Sequence, residues 1–297
     1  MNLADSAARV IGITPGDPAG IGPEIIRQAL DSGKLDRDFT YRIIGGMQAC
    51  DPGQPTEETA RAAFDAIEMS AKLALAGEIA AVVTGPIHKH RMQTIGFPFP
   101  GQTEFFAHRC GVENFAMLLT GGSLTVALVT AHVSLREVSS LLNEAEIIRV
   151  GKLLAEFLRL HKQRSPRIGV AGLNPHAGES GALGLEEIEI ITPAVVKLSN
   201  EFHWATFTGP LSPDTVFNRA MNGEFDGVLC MYHDQGLIPL KLHAFDQGVN
   251  VTLGLPFVRT SPDHGTAFEI AGKGIARPDS MIAAINLATE LVKKREA

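Results

Sequence analysis

The chain has 297 residues, 45% of them hydrophobic and 20% charged, with 30 Gly and 17 Pro. This is an ordinary globular composition: it excludes collagenous, disordered and disulfide-scaffold classes and predicts one large or two medium domains. With 26 Lys and Arg against 33 Asp and Glu the net charge is −7, and no basic block interrupts the sequence, which argues against a nucleic-acid partner. Cys50, Cys110 and Cys230 are far apart and lack C-x-x-C spacing, so a reducing, cytoplasmic setting is expected rather than disulfides or a thiolate metal site. The first ten residues show no basic-then-apolar leader, and no apolar run approaches the roughly 18 residues of a membrane span, so neither is expected.

Short apolar runs ending in Gly or Pro loops alternate with longer periodic segments, which predicts an α/β fold with a mainly parallel sheet. In chain order, 9–13 reads as a strand, 24–30 as a helix, 40–44 as a strand, 56–76 as an Ala-rich amphipathic helix and 79–84 as a strand. The Pro- and Gly-dense stretch GFPFPGQTEFF at 96–106 marks a crossing between domains. Beyond it, 123–130 and 167–173 are expected strands, and 143–162 a helix opened by the capping pair Asn143 and Glu146. A strand is expected at 227–232 and a final helix from Pro278 and Asp279 to about 293, basic at its C-terminal end.

Three of these strands run into a histidine: LTVALVTAHV gives His132, RIGVAGLNPH gives His176 and GVLCMYHDQG gives His233. Ligands of open parallel sheets collect beyond the carboxyl ends of the strands. One such histidine is ordinarily a satisfied loop residue; three in the same topological position point to a shared divalent metal with open positions for substrate. Asp234 follows directly. Lys241, Asn250, Arg259 and the run TSPDHGTA with His264 come next, and the two cations, read as loop residues, are candidates for clamping a phosphate or carboxylate. TPGDPAGIGPE after the first strand carries Gly16, Gly20 and Gly22 before a helix start, a place for close backbone approach or an anion, although it matches no nucleotide fingerprint and a tight structural turn explains it equally. TGPIHK at 84–89 repeats the plan and supplies Lys89.

Taken together, ITPGDPAGIGPE, VVTGPIHK, GQTEFF, TAHVSLREV, NPHAGE, GPLSPDT, MYHDQGLIPLK, GVNVTLGLPFVRTSPDHGTA and AGKGIA resemble the 4-hydroxythreonine-4-phosphate dehydrogenase (PdxA) family of pyridoxal phosphate biosynthesis, over about residues 10–290. The resemblance implies two α/β/α domains around a cleft, as in isocitrate and isopropylmalate dehydrogenases, and a homodimer with its active site near the interface. It implies NAD- or NADP-linked oxidation of 4-phosphooxy-L-threonine followed by decarboxylation. Metal ligation falls on His132, His176 and His233, the metal being zinc, cobalt, magnesium or manganese, with Asp234 beside it. Substrate contacts fall on Gln102, Thr103, Lys241, Asn250 and Arg259. DHGTAFEIAGKGIARP is similar to the adenosine-binding segment of the isocitrate and isopropylmalate enzymes, which assigns His264, Gly265, Thr266 and Ala267 to the nicotinamide cofactor. Lys89 and Asp234 are the candidates for proton transfer.

Two departures stand out. Family members commonly carry GHTE where this chain has Gln102, a neutral amide in place of a chargeable imidazole. The stretch between Gly46 and Gly53 is also much shorter than usual, so a trimmed first domain is expected, made of 1–98 with 270–297, and a second of 99–269. These departures leave open a sister dehydrogenase acting on 4-phospho-threonate or 4-phospho-erythronate. A phosphate acyltransferase of the same fold would need neither the three histidines nor HGTA, and a non-catalytic descendant would have little reason to keep every metal and cofactor position filled.

Overall fold

The computed structural model describes residues 9–46 and 50–296. The chain forms two compact units, one of residues 1–113 with 246–297 and one of 114–245. The segments 99–113 and 246–269, expected in the second domain, therefore belong with the first, and the break falls past the aromatic stretch at 96–106. The reason is packing. Phe97, Phe99, Phe105 and Phe106 interlock edge-on with one another and with Phe64 and Phe257, all residues of the first unit.

In the first unit, β1 (Val10–Thr14), β2 (Thr40–Ile43), β3 (Ala81–Thr84), β9 (Val249–Leu253) and β10 (Val258–Pro262) lie in the order β2-β1-β3-β10-β9. All pairs are parallel except β10 with β9. The expected strands at 9–13, 40–44 and 79–84 are present within a residue or two of their predicted bounds. The sequence reading did not identify β9 and β10, because Asn250, Thr252, Arg259 and Thr260 interrupt their apolar runs. The helices are α1 (Gly22–Asp31), α2 (Glu57–Leu75), α3 (Lys89–Thr94), α4 (Gln102–Arg109) and, at the C-terminus, α10 (Asp279–Glu296). Thr56 caps α2 reciprocally with Thr59. Met281, Ile285 and Leu291 on α10 are buried, and this helix packs on β3 and β10.

The second unit is built on β4 (Ala116–Gly121), β5 (Leu124–Leu128), β6 (Arg167–Ala171), β7 (Thr206–Leu211) and β8 (Gly227–Cys230), in the order β4-β5-β8-β6-β7. β4 and β5 form an antiparallel hairpin and the remaining pairs are parallel. Its helices are α5 (Leu135–Leu141), α6 (Glu144–Lys162), α7 (Thr192–Glu201), α8 (Pro213–Met221) and α9 (His233–Ala244). Asn143 caps α6 as the sequence predicts, its Oδ1 accepting from the Glu146 amide at 3.0 Å. Leu124, Val126, Val228 and Cys230 form the core with Val216 and Phe217 of α8 and Leu237 and Leu240 of α9. Among the described residues no helix is long and apolar enough to cross a membrane.

Asp226, just before β8, ties the segment that enters β6 to the start of β8. It accepts from Arg164 at 2.5 and 3.0 Å and from the Arg167 backbone amide at 2.8 Å. Burial pushes its carboxyl up, but these bonds together outweigh burial and hold it below the usual carboxylate range. A depressed carboxylate stabilises the fold above its unfolded value of about 3.9, and that contribution disappears as pH falls through the folded value. Asp226→Asn is therefore expected to cost about 1–2 kcal/mol at pH 7, since both arginines are half-exposed, and much less at pH 3. Urea unfolding at the two pH values checks this; an equal deficit at both would show that the charge is not its source.

Candidate active site

In the first unit the polar residues gather on one face of the sheet, Thr14 and Thr84 at the carboxyl ends of their strands and the others within theirs. Thr14 pairs with Thr84 and Arg259 with Val82, and side chains repeat with a period of two, so Thr14, Thr84 and Arg259 share that face. Ser261 pairs with Asn250, which brings Asn250 and Thr252 to the same face. Arg259 is buried, with its guanidinium 5.6 Å from the centre of the Phe106 ring. It donates from Nη2 to Thr84 Oγ1 at 2.6 Å and from Nη1 to Thr252 Oγ1 at 3.2 Å. Burial lowers its pKa to about 10, with the Glu104 carboxylate acting in the opposite direction, so it is a cation at neutral pH.

Several buried polar atoms here have no hydrogen-bond partner among the described residues: Arg259 Nε, Asn250 Oδ1, Gln102 Oε1 and Thr14 Oγ1. An orphaned donor on a buried cation is costly unless a ligand satisfies it. Gln102 opens α4 and donates from Nε2 to the Gly85 carbonyl at 3.1 Å. Its amide nitrogen is thus engaged, and it is the carbonyl oxygen, an acceptor, that stands orphaned among the described residues. Thr103 Oγ1 lies 3.4 Å from Thr252 Oγ1. Lys89 is exposed at the start of α3, and a Cβ on Gly101 would stand 4.0 Å from its Nζ and 3.1 Å from Glu104 Oε2.

The glycine loop after β1 is held by backbone contacts. Gly16 has φ 74°, and a Cβ there would come within 2.2 Å of the Pro86 carbonyl oxygen. The same loop meets HGTA, where the Ile21 amide donates to the Thr266 carbonyl at 2.9 Å and a Cβ on Gly20 would lie 2.8 Å from that oxygen. Within HGTA, Thr266 is buried, Gly265 is exposed with open space around its Cβ position, and Ala267 has the left-handed φ of 43°. Residues that expose backbone in this way suit a ligand approaching closely along the chain, which fits the cofactor role given to His264, Gly265, Thr266 and Ala267. His88 and Phe268 stand nearby as a ring pair, 5.6 Å apart.

In the second unit His132 and His233 face one another, with ring centres 5.7 Å apart. His233 begins α9, and its Nδ1 lies 2.7 Å from Asp234 Oδ1. A carboxylate on Nδ1 fixes the tautomer that leaves Nε2 free to ligate. His176 lies on an exposed turn in which His176, Ala177, Gly178, Glu179 and Ser180 all have φ between 45° and 76°, a left-handed run that costs non-glycine residues about 1–2 kcal/mol each. Two of the three imidazoles are thus paired. Among the described residues no group of three His, Cys, Asp or Glu side chains is arranged to hold a metal ion, so the third imidazole does not stand with the pair as a preformed ligand set.

Lys241 and Arg259 were expected on loops. Lys241 instead lies in the last turn of α9 and is exposed, and Arg259 is internal to β10 and buried. Thr14, Thr84, Thr252, Glu104 and Phe106 were missed. The strand-end reasoning applied to the histidines fits Thr14 and Thr84 equally, each being the polar last residue of a buried strand.

The α/β fold is shared with known dehydrogenases. A crystal structure of 4-hydroxythreonine-4-phosphate dehydrogenase from Klebsiella pneumoniae is 38% identical with TM-score 0.81, covering 96% of this chain and 99% of that one. A terephthalate 1,2-cis-dihydrodiol dehydrogenase from Burkholderia xenovorans is 28% identical with TM-score 0.68, covering 95% and 98%. A β-decarboxylating dehydrogenase from Thermococcus kodakarensis, 17% identical with TM-score 0.53, shares the fold.

The model of the pyridoxal phosphate biosynthetic protein PdxA matches residues 24–288, and the chain belongs to that family, an oxidoreductase of pyridoxal phosphate biosynthesis. A 4-hydroxythreonine-4-phosphate dehydrogenase from Desulforapulum autotrophicum is 44% identical over 322 aligned positions, covering 94% of each chain. That span exceeds the 297 residues here, so the relative carries segments that this chain lacks.

Replacing Arg259 removes a charge-assisted contact worth roughly 1.5–3 kcal/mol, so Arg259→Ala is expected to lower kcat/KM on a phosphorylated substrate about 10- to 100-fold. Arg259→Lys should not restore it, because an ammonium cannot bridge two threonines and still present a third donor in the same plane. Circular dichroism verifies folding of both variants. A lysine variant with wild-type kcat/KM would exclude the forked geometry as the reason for the arginine.

Proposed function

We propose that the chain catalyses the NAD- or NADP-linked oxidation of 4-phosphooxy-L-threonine, with decarboxylation of the β-keto acid so formed. The observation that carries this reading is the buried Arg259 whose Nε points at no protein acceptor. A phosphate or carboxylate oxygen satisfies it, and Thr84 and Thr252 hold the guanidinium plane for that contact. Gln102 Oε1 and Asn250 Oδ1 accept from the hydroxyl or ammonium groups of a hydroxy-amino acid, with Thr103 beside them. Lys241 serves a second anionic group of the substrate. His264, Gly265, Thr266 and Ala267 hold the adenosine side of the cofactor.

His132 and His233 would be the paired donors for a divalent ion, zinc, cobalt, magnesium or manganese, and His176, which the family resemblance adds, would be its third donor. Bound there, such an ion would supply Lewis-acid stabilisation of negative charge on the substrate oxygen. Asp234 orients His233 through Nδ1, and Asp234 or Lys89 moves the proton. That base would take the proton of the substrate hydroxyl as its carbon is oxidised and return a proton to the carbon that keeps the electron pair when carbon dioxide departs; bound nicotinamide would supply the two-electron acceptor.

Ile238, Leu242 and Phe245 recur at helical spacing along α9 and are 58%, 85% and 72% exposed. A stripe of this kind fits a homodimer contact, and it lies on the helix that His233 opens, in keeping with an active site near the interface. The free state of all three cysteines is consistent with a cytoplasmic enzyme.

A sister dehydrogenase for 4-phospho-threonate or 4-phospho-erythronate is the second reading. Gln102 favours it, since an orphaned acceptor suits a hydroxyl as well as an ammonium, and so does the likeness to a dehydrogenase with a different substrate in its name.

Steady-state assays of wild type and Gln102→His with each phosphorylated acid and both cofactors separate the two. Phosphothreonine should show the highest kcat/KM, nearly kept in Gln102→His above the imidazole pKa of about 6.5, where the neutral ring can accept, and falling below it. A strong wild-type preference for phospho-threonate overturns the substrate assignment. Chelation should abolish turnover reversibly, and His132→Ala or His233→Ala should each cost most of the activity. Near wild-type rates in both variants after exhaustive chelation would exclude the metal.

A further inference from the structure

We infer that Glu187 is a positioning residue for the reaction: its carboxylate holds the left-handed turn 176–180 and so fixes where His176 is presented. This rests on the role proposed above for His176. Glu187 is 2% exposed, a buried carboxylate in the short π-helical segment Glu187–Ile191 just before α7. One oxygen, Oε1, accepts both the Leu173 and the Asn174 backbone amides at 2.7 Å, and Oε2 accepts from Asn174 Nδ2 at 3.0 Å. These are the last residues before Pro175 and His176.

The turn is fitted around that carboxylate. A Cβ on Gly178 would lie 2.6 Å from Oε2, and one on Gly172 would lie 3.0 Å from Oε1, so glycine stands at both points where the backbone closes on the charge. Asn174 also donates from Nδ2 to Glu186 Oε2 at 2.8 Å, which gives the entry to the turn a second acidic anchor. Four non-glycine residues in left-handed conformation persist only where their surroundings over-determine them. Here the fixed points are the two amides before the turn and the glycine within it, and Glu187 touches all of them. Among the described residues its charge is met by three N–H donors and by no cation, as in a backbone clamp rather than an ion pair. His176 itself is exposed, so packing does not hold it in place.

The test compares Glu187→Ala, Glu187→Gln, His176→Ala and the His176→Ala/Glu187→Ala double variant, using full-length protein with saturating substrate, cofactor and divalent ion. Amide hydrogen exchange should quicken at least tenfold over 173–181 in Glu187→Ala while β6 and β8 keep their protection. Its kcat should fall to within about threefold of His176→Ala. Glu187→Gln, whose remaining carbonyl oxygen can still accept both amides, should recover most of that loss. On the His176→Ala background, removing Glu187 should change kcat less than twofold, because a residue acting through His176 has nothing left to position.

Unchanged exchange over 173–181 would overturn the inference. So would quickened exchange across the whole sheet, or a full additional loss in the double variant, since each marks a general structural role. Wild-type kcat in His176→Ala would overturn the role of His176 itself, and with it the link from Glu187 to catalysis. Exchange at 173–181 would then still report separately whether Glu187 holds the turn.

Discussion

The burial of the Arg259 guanidinium is the constraint around which the first unit is organised. A cation taken out of water needs its donors satisfied and its charge balanced. Two threonine hydroxyls, one aromatic face and the Glu104 carboxylate meet part of that need. Because Thr84 is on β3, Thr252 on β9 and Arg259 on β10, the requirement fixes the alignment of three neighbouring strands. The donor left over, Nε, is what supports the proposal of a binding site rather than a structural plug. An arginine with every nitrogen engaged by protein would have nothing to offer a ligand.

The second unit spends conformational strain where the first spends desolvation. A left-handed turn of four L-residues is unfavourable, yet it carries the NPHAGES segment out of β6 in a shape that an ordinary turn does not give. Its stabilisation comes from a buried carboxylate twelve or so residues later in the chain, an arrangement that couples the turn to the start of α7. The facing pair His132 and His233 needs no such device, because each follows a buried strand whose end is already fixed by the core. Strain and anchoring appear together only at the third histidine.

Much of the architecture was legible in the amino-acid order. Parallel strands at 10–14, 81–84 and 227–230 and the capped helix from 144 follow from apolar runs, glycine breaks and one Asn-to-Glu spacing. The strands carrying Asn250 and Arg259 were hidden for a physical reason. The polar residues on their shared face interrupt the continuous apolar runs by which the other strands were recognised, although VNVTL at 249–253 does alternate. The break between the two units was misplaced on similar grounds: proline and glycine density at 96–106 reads as a linker, whereas the phenylalanines among them pack as a core.

By itself the sequence determined the family and the α/β class, and it nominated Arg259 and the histidines as candidates, since long ordered motifs and strand-end positions are properties of linear order. Tertiary structure decided which atoms of those residues are engaged and which are left over. That Gln102 offers an oxygen rather than a nitrogen depends on the Gly85 carbonyl, seventeen residues away. That Glu187 belongs with NPHAGES depends on a carboxylate folding back onto two amides. Hydrogen-bond satisfaction and burial are sums over neighbours in space, and neighbours in space are what the linear order does not contain.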